Sequence, residues 1–244
     1  MKTFKQFGLF LQWQLRRQAL ALPVYFALQV IIAAAITLGY GLIVGEVDQR
    51  TSLFLTTAAI TICLLMLGLV VAPQTVADTR AEGGYEWMLT LPVPRAVFVL
   101  ADMLVWMALA LPGLISCIVV GSWRYGLDFS PSWAVAPAVL LVAFGATAIG
   151  YVPAVTFGKI GTLMCTQVFI MGTMLFTPIA YPAERLPAWG RTLHEWLPFD
   201  SMGRLVRGTM APGDFPLDAR PWIVVACWAV VGFLASLTML RRRR

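Results

Sequence analysis

The sequence predicts an all-α integral membrane fold with six transmembrane helices. It also predicts an N-terminal interfacial helix and short helices between spans two and three and between spans five and six. Three observations lead there. Only 12% of the 244 residues are charged and 59% are hydrophobic, whereas a soluble domain carries about 25% charged residues. The mean hydropathy is +0.80. Six apolar runs, residues 19–44, 52–72, 97–121, 133–157, 160–180 and 222–240, each approach or exceed the roughly 20 residues a helix needs to cross a bilayer core. Inside lipid each run must be helical, because only a helix satisfies all its backbone groups within one segment; no strand is predicted. Residues 1–244 read as one transmembrane domain, without an inserted soluble domain or an internal repeat.

Residues 1–18 precede the first span. Phe4, Phe7, Leu11 and Leu15 recur at helical steps, with Lys2, Lys5, Gln6, Gln12 and Arg16 on the other side. This is the pattern of an amphipathic helix in the headgroup plane, its cations facing anionic lipid; a frayed, solvated terminus is the alternative. The first apolar run is long enough to span and is expected to be retained rather than cleaved.

The connection at residues 73–96 is long and charged. Gly83–Gly84 permit a sharp turn. Residues 85–91 suit a short helix with Glu86 in its first turn, the favourable end for a carboxylate, and Pro92 and Pro94 end it. Lying parallel to the membrane, this helix would present Tyr85, Trp87, Met88 and Leu89 as a docking knob. The alternative is a re-entry loop whose aromatics anchor at the interface.

The connection at residues 181–221 is also long. Pro182 and Pro187 bracket a turn, and Trp189, Leu193, Trp196 and Leu197 line one helical face until Pro198 breaks it. Asp200–Ser201 are placed to cap a second helix. That helix would carry Met202, Leu205 and Val206 on one side and Arg204 and Arg207 on the other. Two amphipathic helices at the outer interface are predicted, because the segment is too apolar and aromatic for disorder.

Lysine and arginine set the orientation. With the N-terminus inside, Lys2, Lys5, Arg16, Arg17, Arg80, Arg95, Lys159 and residues 241–244 lie on the inner side. Arg50, Arg124, Arg185, Arg191, Arg204, Arg207 and Arg220 lie outside, most of them in the 181–221 loop with Glu184, Glu195, Asp200, Asp214 and Asp218. Arg16–Arg17 and the terminal arginines flank the first and last spans, where the bias acts most strongly, so both termini are expected in the cytoplasm. The net charge of +6 therefore reads as a topology signal. No basic face with interleaved aromatics suggests nucleic acid.

Reactive chemistry is sparse. The only Gly-Lys pair is Gly158–Lys159; a phosphate-cradling loop would need Gly at 153 and Ser or Thr at 160, which are Pro153 and Ile160. No catalytic site, cofactor or metal site is expected in this chain. The sole histidine, His194, lies in the outer segment, away from any span serine, and is placed at the interface. Cys63, Cys117, Cys165 and Cys227 sit in apolar runs without a CxxC pair, as small packing residues. Asp102 lies one turn into the third span, placed to snorkel or to pair with Arg95. Gln29, Thr56, Thr57, Thr61, Thr162, Thr166, Gln167 and Thr173 either bond between helices or line a substrate path.

In this order the features resemble the ABC-2 family of transporter permeases. Residues 80–95 are similar to a family motif with an acidic-basic start, a glycine, a Glu, a Leu and a closing Pro-x-x-Arg, here Glu82, Gly83, Glu86, Leu89, Pro92 and Arg95. Tyr181-Pro182 followed by Leu186-Pro187 is similar to the outer pattern. So is Leu197-Pro198-Phe199, where the family usually has Asn before the Pro. The resemblance covers the whole chain, with a minimal second coupling turn at residues 158–161.

The resemblance implies a permease in the bacterial plasma (inner) membrane, paired with a second copy or a sister permease. Two cytoplasmic ABC ATPase subunits, which hold ATP and Mg, would bind it. Residues 85–91 become a coupling helix, and Arg80, Glu82, Gly83, Glu86, Trp87, Leu89, Pro92, Arg95 and Lys159 lie on or beside the ATPase surface. Thr57, Thr61, Met164, Gln167, Phe169, Met171 and Met174 become a substrate path at the dimer seam. Tyr181, Pro182, Leu186, Pro187 and Trp189 belong to the outer helices. The implied activity is ATP-driven export of hydrophobic or amphipathic compounds such as drugs, antibiotics, peptides or lipids. Polysaccharide or glycolipid export and a non-transport anchor recruiting a cytoplasmic partner are the alternatives.

Overall fold

The computed structural model describes residues 2–45, 48–84 and 94–242. Helix α1 (Lys2–Gln18) leads into α2 (Leu22–Val44), followed by α3 (Gln49–Ala81), α4 (Arg95–Tyr125), α5 (Val135–Thr156) and α6 (Lys159–Phe176). A 3-10 turn at Ala183–Arg185 precedes α7 (Ala188–Trp196) and α8 (Pro198–Met210), and α9 (Arg220–Arg242) comes last. Helices α2 to α6 and α9 are six helices long and apolar enough to cross a membrane. No strand occurs among the described residues. Helices α2, α4 and α6 start at the end of the bundle that carries α1; α3, α5 and α9 start at the far end.

The largest departure from the sequence reading is α3. The span expected to stop at Ala72 runs on to Ala81, so the first part of the predicted loop is helix. A π turn at Leu67–Val71 lies just before Pro73. Proline has no N–H for the preceding turn, and a π turn lets a helix pass such a defect without ending. Packing fixes the arrangement. A Cβ on Gly68 would lie 2.7 Å from the Ala146 Cβ and 2.8 Å from the Thr147 nitrogen, and one on Gly150 would run into the Gly68 carbonyl. Helices α3 and α5 therefore touch backbone to backbone. Helix α4 also outruns its expected span, with Pro112 inside it, and ends at Gly126, whose φ of +61° is the left-handed stop glycine provides. Helix α6 stops earlier than expected, at Phe176, ahead of Pro178.

Helix α3 is the most buried span, and α2 and α6 are the least. Val24, Ile31, Leu42, Val168, Leu175 and Val231 point outward and are exposed. A contiguous apolar surface of this kind suits hydrocarbon rather than water. Against lipid, burying an apolar side chain gains little, so close packing at small residues holds such helices together. Gly68 and Gly150 do this for α3 and α5, and Gly232 lies against the Ala148 backbone for α9 and α5. Trp106 is fully buried, edge-on to Tyr25 with ring centroids 5.4 Å apart. Cys63 and Cys117 meet inside the core with sulfurs 3.7 Å apart, while Cys165 is half-buried and Cys227 exposed.

Helix α1 lies against the spans through a face that keeps Phe7 and Leu11 of the predicted stripe but turns Leu15 out and Phe10 and Gln14 in. Phe10 is buried, with its ring edge-on to Phe98 at 5.2 Å, and Gln14 is buried beside it, whereas Leu15 is exposed. The apolar stripe is rotated because Gln14 finds a partner inside: its Nε2 donates to Asp102 Oδ1. Tyr151 donates to Oδ2 of the same carboxylate. Asp102 therefore does not snorkel; it is buried in a polar cluster joining α1, α4 and α5. The Arg95 guanidinium instead donates to the Leu240 carbonyl at 2.6 Å.

Candidate functional site

At the α1 end, two connections emerge side by side, one after α3 and one between α5 and α6. The last turn of a helix leaves carbonyls without intrahelical partners. Helix α5 ends in this state, and Arg80 of α3 supplies the donors: its Nη1 bonds the Ala154 carbonyl and, at 3.0 Å, the Phe157 carbonyl. A guanidinium there also complements the negative end of the helix dipole. Two residues earlier on α3, Asp78 pairs with Lys159, the first residue of α6, at 2.9 Å. Arg95 caps α9 in the same way that Arg80 caps α5. Arg80 and Lys159 thus tie the ends of α3, α5 and α6 together, and Arg95 ties α4 to α9 at the same face.

Glu82 follows α3 directly, and Gly83 takes φ +74°, a conformation L side chains rarely adopt. Glu86, Trp87, Leu89 and Pro92, with the predicted helix at residues 85–91, lie outside the described residues.

The seven residues expected along a substrate path do not share one surface. Thr57 and Thr61 are buried in α3 and return their hydroxyls to the carbonyls of Leu53 and Thr57, each 2.8 Å away. A threonine hydroxyl that finds the carbonyl four residues back needs no other partner. Met164, Gln167, Phe169, Met171 and Met174 are all exposed on α6. The inward polar groups of α6 bond between helices: Thr162 to the Pro153 carbonyl at 3.2 Å, and Thr166 from Gln74 at 3.3 Å.

At the far end, α7 and α8 form a hairpin hinged at Leu197–Pro198. Helix α8 starts at Pro198, so Asp200 sits in its first turn rather than at the cap, and no side chain caps this helix. Nearly all of α8 is buried against α3, α5 and α9. Arg207, expected on the polar face with Arg204, is buried instead. Its guanidinium lies 3.5 Å over the Phe54 ring and donates to the Ile179 carbonyl at 2.7 Å. Burial lowers its pKa to about 10, with the Asp200 charge acting against that. The cation persists because the aromatic face and the carbonyl replace water.

The same burial raises the Asp200 carboxyl to about 6, against the pull of Arg204 and Arg207. His194, expected at the interface, is buried, and burial holds its imidazole below the ordinary range while a bond to the Phe176 backbone acts against it. Tyr181 donates to the Leu175 carbonyl at 3.3 Å, closing the turn after α6. Pro182 and Leu186 flank the 3-10 turn, Pro187 is the residue before α7, and Trp189 is exposed on α7. Trp228 pins α9 to the Trp196 carbonyl at 2.8 Å, and Arg220 pairs with Glu195 at 2.9 Å.

These elements border an open cavity of about 750 Å³ at the far end, between α3, the 3-10 turn, α7 and α8. The sequence reading missed this cavity, Gln14 and Tyr151. Gln14 was detectable as a residue on the Phe7–Phe10–Leu11 face, and Tyr151 as a phenol buried in a span that needs an acceptor.

A bundle of six membrane-length helices with an apolar outer belt is a multi-pass membrane protein. The family model of the ABC-2 type transporter matches residues 5–211, from within α1 to just past α8, and the chain belongs to that family. It is the permease component of an ABC transporter, a class that works with an ABC ATPase. No curated protein matches the chain.

Proposed function

We propose that this chain, as a single domain of residues 1–244, is the permease of an ATP-driven exporter of hydrophobic or amphipathic compounds. Both termini face the cytoplasm of a bacterial inner membrane. Two ABC ATPase subunits bind the α1 end and hydrolyse ATP with Mg. A second copy or a sister permease pairs with it, and the exposed face of α6, carrying Met164, Gln167, Phe169, Met171 and Met174, lines the path between the two. Adaptable methionines suit varied apolar cargo.

The observation that supports this reading is the tie between the two connections at the α1 end. Arg80 and the Asp78–Lys159 pair join the root of residues 82–94 to the α5–α6 turn. A push on either connection reaches α3, α5 and α6 at once. Glu82, Gly83, Glu86, Trp87, Leu89, Pro92 and Arg95 then lie on or beside the ATPase surface. Transport by the complex reconstituted with its ATPase tests the reading. Glu86→Ala and Leu89→Ala should abolish substrate-stimulated ATPase activity while leaving permease insertion intact. Unchanged stimulation, or external labelling of cysteines placed at residues 85–91, would overturn it.

A further inference from the structure

The cavity at the far end has an uneven charge. Arg50, Arg185, Arg191, Arg204 and Arg207 line it, against Glu184, Glu195 and Asp200. Glu195 is already engaged by Arg220 and Arg204 by Asp218, both partners lying outside the lining, so the cationic excess rests on Arg50, Arg185, Arg191 and Arg207 against Glu184 and Asp200. Arg185 and Arg191 are exposed and have no ion pair among the described residues. One lining residue also holds a buried donor that has no partner among the described residues, Arg207 Nε. A buried donor left without an acceptor costs about 1–3 kcal/mol, so an incoming acceptor is favoured twice, by charge and by hydrogen bonding. The cavity volume lies in the range of ordinary ligand sites.

His194 also borders a second space. A groove of about 350 Å³ runs between α6 and α7 and is almost wholly apolar, lined by Phe169, Phe176, Trp189 and Leu193. A cationic chamber and an apolar groove thus share one lining residue, His194. A small dissolved anion would use only the chamber; an amphiphile fills both.

We propose that this composite site binds an anionic phospholipid of the far leaflet, with its phosphate among Arg185, Arg191 and Arg207 and an acyl chain along Phe176 and Trp189. The site does not depend on the transport reading, since a lipid can be held without being carried.

Native mass spectrometry of the full chain in detergent tests it, with phosphatidylglycerol and phosphatidylcholine of identical acyl chains as probes. Phosphatidylglycerol should bind about tenfold more tightly, the scale of one charge-assisted bond. Arg185→Gln with Arg191→Gln changes only exposed side chains, so the fold should survive. The pair should remove that preference, weakening phosphatidylglycerol binding more than phosphatidylcholine binding, because the choline cation already offsets part of the phosphate's attraction. Trp189→Ala should weaken both lipids equally. Equal binding of the two lipids by the wild type, or a preference untouched by the double substitution, would overturn the proposal. So would displacement of phosphatidylglycerol by glycerol 3-phosphate at equal concentration, which would mark a site for soluble anions.

Discussion

Tyr151 of α5 donates its phenolic hydroxyl to Oδ2 of Asp102 on α4, deep inside the bundle. Gln14 of α1 donates to the other oxygen. A carboxylate seven residues into α4 thus fastens the N-terminal helix to the core. Tyr151→Phe keeps the ring volume and removes one donor. Leaving a buried acceptor short costs about 1–3 kcal/mol in water-soluble proteins, and membrane hydrogen bonds fall toward the lower part of that range. The expected loss is about 1–2 kcal/mol in detergent unfolding. Gln14→Leu should raise amide hydrogen exchange through Phe7–Gln14 and leave α3 protected.

The Asp78–Lys159 pair makes the opposite prediction. Its side chains are 47% and 65% exposed, and an exposed, solvent-screened pair contributes little to stability. Lys159→Ala should therefore barely change the melting temperature. Under the proposed function it should nonetheless reduce transport per ATP hydrolysed, and exchanging the two residues, Asp78→Lys with Lys159→Asp, should restore it. A large stability loss without a coupling defect would show that the pair is only structural.

Gly150 and Gly172 offer a matched comparison. A Cβ on Gly150 would strike the Gly68 carbonyl, where backbone cannot yield, whereas Gly172 has nothing within 4 Å. Gly150→Ala should cost about 1–3 kcal/mol or more by overpacking. Gly172→Ala should be neutral or gain up to about 1 kcal/mol from helix propensity. Denaturant titration of the two variants checks the contrast.

Asp200 makes stability depend on pH. Its folded pKa, raised by burial to about 6, exceeds the ordinary 3.8. Between those values the folded state holds the extra proton, so stability is greatest below the ordinary pKa. It declines as pH rises to about 6 and then levels off. At 1.36 kcal/mol per unit the penalty above that window is at most about 3 kcal/mol. Asp200→Asn should melt higher than wild type near pH 7 and alike near pH 4. A constant difference at both pH values would refute this.

The number of spans and their order were legible in the sequence because hydrocarbon imposes a length and a composition on each crossing. The hairpin after the fifth span was legible too, since Pro198 divides two amphipathic patterns. The end of α3 was not. Pro73 reads as a stop, and only the π turn packed against Ala146 and Gly150 carries the helix past it. Arg207 reads as a solvent residue, because its partners, the Phe54 ring and the Ile179 carbonyl, come from segments remote in sequence.

By itself, then, the sequence determined which stretches enter the membrane and which stay outside, a choice made locally by the transfer energy of each segment. The tertiary structure decided where the polar groups go. It placed Thr57 and Thr61 inside α3, brought Asp102 to Gln14 and Tyr151, and set Arg80 over the end of α5. In a low-dielectric interior each such group must find a partner, and that partner can come from any helix the packing brings near.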